Sequence, residues 1–159
     1  MSQTAVVKRR SVEYSTVAAF RADAEKLAAG QYETVGNWSF GQILLHLANA
    51  VNGSFDGYPF SLPWYMRIVR PFVVPFVKKS FLTQPMKPGF KLPKSAEQYL
   101  PQPDVTTEEA LSQLQATLNR FEKESPEAEH PFLGTLTPKE WVALHLRHAE
   151  LHMSFVRPA

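Results

Sequence analysis

Three histidines, at 145, 148 and 152, fall close together in the segment TPKEWVALHLRHAELHMSF (137–155), and a fourth, His46, sits inside another apolar stretch. A neutral imidazole offers one lone pair and is the commonest metal ligand near neutral pH. Helical residues advance by about 100° each, so His148 and His152 differ by roughly 40° and lie one turn apart on one face. Two imidazoles so placed can share one ion. Burying them unpartnered is costly, because each has a donor and an acceptor to satisfy and a charged form that resists desolvation. The zincin pattern is not met: Ala149 follows His148 where that motif has Glu. Glu150 lies about 200° around the helix from His148, so it is not an obvious general base for a metal-activated water.

If the helices carrying these groups face one another, His46, His148 and His152 converge and leave room for water or a substrate. That is the layout of a catalytic-type site for zinc or a related divalent ion. The lack of paired Glu-x-x-His elements weighs against a ferritin-like di-iron centre. The plainer alternative is a set of separate core histidines bonded to carbonyls. His145, one turn before His148, could be a fourth ligand, a partner that fixes an imidazole tautomer, or a structural residue. Gln42 and Asn49, each a turn from His46, could support the site or bond between helices. His130, beside Pro131, reads as a turn residue, and Trp64, Tyr65 and Trp141 as core. No catalytic residue is named by these patterns.

The elements that must position these groups carry clear start signals. Thr137 and Glu140 have capping-box spacing with Pro138 at the first helical position, and Trp141, Leu144, His145, His148, Leu151, His152 and Phe155 form one stripe. Ser39 and Gln42 open a nearly all-apolar helix running to Gly53, and Thr106 and Glu109 open one running to about Glu124. A first helix is expected over about 15–29, stopped by Gly30. Between Asp56 and Asp104 lies a long connection rich in proline and aromatics. A short helix near Trp64–Val69, resuming before Lys79, is expected there, with Pro71 and Pro75 breaking or kinking any continuous one. A connection this long is read as a crossover that walls one end of a pocket. No strand pattern or repeat stands out. The expectation is one all-α domain over 1–159, a four-helix bundle with a long crossover between helices 2 and 3, and a flexible stretch over 1–10.

Composition narrows the chemistry. With 159 residues the chain buries roughly two-thirds of its unfolded surface and needs no metal or disulfide to fold. It has no cysteine, so thiolate zinc sites and a cysteine nucleophile are excluded and any metal site must use His, Asp or Glu. A net charge of +2 with scattered cations gives no nucleic-acid footprint. The N-terminal MSQTAVVKRRSVEY lacks the apolar core of a signal peptide, and a cytoplasmic location is expected. The segment 63–82 carries Arg67, Arg70, Lys78 and Lys79 with two prolines, so it does not span a membrane; a buried or interfacial segment is expected.

His46 in NWSFGQILLHLANA, HPFLGTLT, and His148 with His152 in LRHAELHMSF, in that order around a long crossover, resemble the DinB-like superfamily of metal-binding four-helix proteins, also called damage-inducible or bacillithiol-transferase-like. The resemblance covers most of the chain. The tryptophan, HPFLG and GYPF/LPWY segments resemble a branch named only as a domain of unknown function. The resemblance implies a metal triad of His46, His148 and His152, holding zinc, nickel or an iron-type divalent ion, and a homodimer. It further implies use of the ion to activate a low-molecular-weight thiol, as in mycothiol-dependent maleylpyruvate isomerase and bacillithiol S-transferases. The expected function is thus S-transfer, isomerisation or hydrolysis of a small molecule, with a non-catalytic bundle as the alternative. Expected partners are a small-molecule substrate and a second copy, with neither nucleic acid nor membrane.

Overall fold

The computed structural model describes residues 8–89, 94, 97 and 100–159. Helix α1 (Val17–Ala29) starts where the Thr16 hydroxyl accepts from the Ala19 N–H, and it buries Phe20, Ala24 and Leu27. Strand β1 (Tyr32–Thr34) follows. Helix α2 (Phe40–Asp56) has the expected capping box: the Gln42 N–H donates to Ser39 Oγ at 3.2 Å and the Ser39 N–H to Gln42 Oε1 at 2.9 Å. It continues one turn beyond Gly53. Helix α3 (Trp64–Thr83) lies in the crossover, α4 (Thr107–Lys123) carries the Thr106/Glu109 box, and α5 (Pro138–Met153) the Thr137/Glu140 box. Strand β2 (Val156–Pro158) pairs antiparallel with β1, Glu33 opposite Arg157.

The molecule is mostly helical, as expected: among the described residues four helices stand where the main ones were expected, and a fifth, α3, lies in the crossover where only a short helix was expected. Pro71 and Pro75 do not break the crossover helix: α3 runs unbroken through both. They are four residues apart, so both lie on one side, and both are exposed. The carbonyls of Arg67 and Pro71 that lose a helical partner can therefore be hydrated. The two strands were missed because three residues are too few for an alternation to register. Phe155, read as part of the helical stripe, lies beyond the end of α5. Trp64 and Tyr65, read as core, are exposed.

Helix α2 packs on α4 and α5, α1 packs on the same two, and α3 leans chiefly on α5. The main core gathers Phe20, Ile43, Leu44, Leu114, Leu118 and Met153, with a second cluster of Leu133, Leu136, Trp141 and Leu144 beneath α3. Of the stretch read as flexible, residues 1–7 lie outside the described residues. Arg10 is anchored, its guanidinium bonded to the Met153 and Val156 carbonyls and paired with Asp23. Residues 90–93, 95, 96, 98 and 99 of the crossover lie outside the described residues too.

Gly41 sets how closely α2 approaches α4. A Cβ there would stand 2.5 Å from the Val105 carbonyl oxygen and 2.9 Å from the Thr106 carbonyl carbon, both backbone atoms. Alanine normally gains up to about 1 kcal/mol over glycine inside a helix. Here the backbone overlap wins, and Gly41→Ala is expected to lower the unfolding free energy by about 2–3 kcal/mol in a urea titration.

Candidate metal centre

Helices α2 and α5 bring three histidines to one point. His46 Nε2 and His152 Nε2 each lie 3.1 Å from His148 Nε2, and the three ligand nitrogens lie within 4.8 Å of one another. The rings are splayed, with interplanar angles of 63–81° and centroids 4.6–5.0 Å apart, so their edges meet around a common centre. A hydrogen-bond account of this contact is incomplete. His148 Nε2 has either one proton or one lone pair in its ring plane and faces two other nitrogens. A cation accepts all three lone pairs at once. Bonds of about 2.0–2.1 Å at tetrahedral angles place two nitrogens ~3.3–3.4 Å apart, close to the spacing seen.

The walls are aromatic and apolar. Trp38, just before the α2 cap, stacks parallel to His152 (5.4 Å, 9°) and lies 4.9 Å from His46. It is the site residue that sequence reasoning missed, since nothing in the chain places residue 38 beside residue 152. Enclosure shifts the imidazoles: burial and the neighbouring His148 charge hold His46 down to about 3, and burial alone holds His148 at about 4. His152 is also lowered, first by burial, then by His148 and His46. All three are neutral near pH 7 and offer lone pairs. As whole residues the three are half-buried.

The remaining candidates take other places. Among the described residues no fourth histidine or carboxylate joins the group. His145 stacks on Trp141 (5.3 Å, 19°) one turn away, its Nε2 buried with no hydrogen-bond partner. Burial, with His148 and His130 nearby, holds it down to about 3. The Gln42 amide is taken by the α2 cap and by the Pro101 carbonyl at 3.4 Å, so it does not support the site. Asn49 is half-buried and makes no side-chain hydrogen bond among the described residues. His130 holds a turn: its Nδ1 accepts from the Phe132 and Leu133 N–H groups at 3.2 and 3.1 Å, and Gly134, with φ 74°, closes the turn. Glu150 points away from the triad, accepting from the Tyr14 N–H at 2.7 Å and pairing with Arg147. A groove of about 200 Å³ at the end of α4, lined by Phe121, Glu124, Pro126 and Val142, contains none of the histidines.

A family model described as a protein of unknown function (DUF1569) matches residues 6–159. No curated protein and no solved structure matches the chain.

Proposed function

The chain belongs to the DUF1569 family over residues 6–159, and from its own side chains we propose a metal-dependent protein that activates a thiol or a water at the histidine triad. The convergence of three neutral Nε2 atoms on α2 and α5, with His148 3.1 Å from both others, carries this reading. His46, His148 and His152 would hold one divalent ion, zinc or nickel first and iron as another candidate. When bound, such an ion lowers the pKa of a thiol or water beside it and so supplies a nucleophile near pH 7. Trp38 closes one side of the triad, and the half-buried state of the three residues is in keeping with an approach for a small molecule. His145 stays apart from the triad, which favours an open coordination position over a closed structural one. Kinship with the DinB-like proteins belongs to the same reading, supported by the order of His46, HPFLG and HAELH. The reactions that follow are S-transfer, isomerisation or hydrolysis of a small substrate.

Cobalt(II) provides a direct test. Untagged protein loaded with cobalt and titrated with 2-mercaptoethanol is expected to gain thiolate-to-cobalt absorption in the near ultraviolet. A cobalt spectrum that thiol leaves unchanged would remove the thiol reading.

A further inference from the structure

Among the described residues, helix α3 is held from one side only. Lys78 pairs with Glu140 at 2.9 Å and Arg70 with Glu129 at 3.5 Å, while Val77 and Leu82 pack on the cluster around Trp141. No residue of α3 is buried, and among the described residues nine of the ten large hydrophobic side chains that are exposed belong to it. On the side away from the body, Tyr65, Ile68, Phe72 and Phe76 follow at three- and four-residue spacing, with Lys79 continuing the row. Phe72 is 74 % and Phe76 83 % exposed, and Trp64 at the start of the helix 74 %. A contiguous apolar surface of this kind exceeds what isolated soluble chains usually show.

The charge on this element says what covers it. Seven of the 17 Lys and Arg lie between residues 57 and 96, and none of the 15 Asp and Glu, so that stretch is +7 while the rest of the chain is −5. Arg67, Lys79, Lys87 and Lys94 are exposed and, among the described residues, have no ion pair. A second copy seated on α3 would bring two such cationic stretches together in a partly desolvated contact, which like charge opposes. An anionic bilayer supplies both an apolar phase for the aromatic row and negative headgroups for the cations. The helix, about 30 Å long, is too short of apolar residues to cross, and no described helix can do so. Its composition, with aromatics on one face, flanking Lys and Arg and no acid, suits a helix lying in the interface.

We infer that α3 docks this protein on anionic lipid surfaces, with Trp64, Phe72 and Phe76 entering the headgroup region and Lys79 and Lys87 at the lipid charges. The expectation of no membrane partner rested on the lack of a spanning segment, which an interfacial helix does not need. This inference stands apart from the metal reading.

The test sediments the full chain with phosphatidylcholine vesicles containing or lacking about a third phosphatidylglycerol. Binding is expected to the anionic vesicles, weakening as salt rises, and Trp64 emission should shift to the blue. The doubly substituted F72S/F76S protein, unchanged in thermal unfolding because both side chains are exposed, should lose about tenfold or more in vesicle affinity. K79E/K87E should lose the preference for anionic lipid, and H148A should bind as the wild type does. Lack of binding to anionic vesicles at low salt, or binding indifferent to F72S/F76S, overturns the proposal. So does a dimer that F72S/F76S dissolves without any vesicle binding, which gives the face to a second copy. Binding to heparin without binding to anionic vesicles gives it to an acidic macromolecule and overturns it as well.

Discussion

His148→Ala protein, purified without a histidine tag, is expected to lose the near-stoichiometric divalent metal of the wild type, with affinity down by at least ~100-fold. His148 is the central member: its Nε2 lies 3.1 Å from both His46 and His152, so its removal leaves two nitrogens and no third to complete the set. Metal content by plasma mass spectrometry reads this directly. His152→Ala should behave alike. His130→Asn is the control, because an asparagine side chain can accept the same turn N–H bonds that His130 Nδ1 takes, and the triad is untouched. Wild-type protein that carries no ion and takes up neither added zinc nor nickel at neutral pH would remove the metal reading.

Acidification is the second large effect. Unfolded histidines titrate near 6.5, whereas in the fold His46 and His145 are held to about 3 and His130 and His148 to about 4, chiefly by burial. The folded state therefore binds fewer protons than the unfolded state in this window. Stability is fully present above about pH 6.5 and falls as the pH drops towards the folded values, at up to about 1.4 kcal/mol per pH unit for each group. Four or five such groups acting together exceed a typical domain's total stability. The metal-free protein is expected to unfold cooperatively between about pH 6 and pH 4 by circular dichroism, with uptake of several protons. Replacing His145 by Phe, which fits the stack on Trp141 and has no charge to acquire, should shift the midpoint to lower pH. Unfolding that is flat from pH 7 to 4 would show that these rings are not enclosed as described. Carboxylates such as Asp23, lowered by Arg10 and Tyr14 against its own burial, weaken the fold only at still lower pH.

The helix starts were legible because they are local. Each capping box is a side chain and a backbone N–H three residues apart, and Ser39/Gln42, Thr106/Glu109 and Thr137/Glu140 all form as their spacing requires. The pairing of His148 with His152 on one face was legible for the same reason: four residues in a helix fix their relation without any help from the rest of the chain.

What no local rule could supply lies at long range. That His46 meets His148 depends on two residues 102 positions apart being brought together by the packing of α2 on α5. The separation of His145 from that group depends on the stack it makes with Trp141, and the place of Trp38 on how the α2 cap abuts the end of α5. Helix α3 shows the same limit from the other side. The prolines at 71 and 75 argue locally for a break, and only the solvent on that side of the helix, decided by what α3 does and does not pack against, lets it continue. Sequence determined the capped helix starts, the absence of cysteine chemistry and the imidazole pair; tertiary packing decided which third imidazole joins that pair and which aromatic face the other described residues leave uncovered, because both depend on contacts between residues that only the fold makes neighbours.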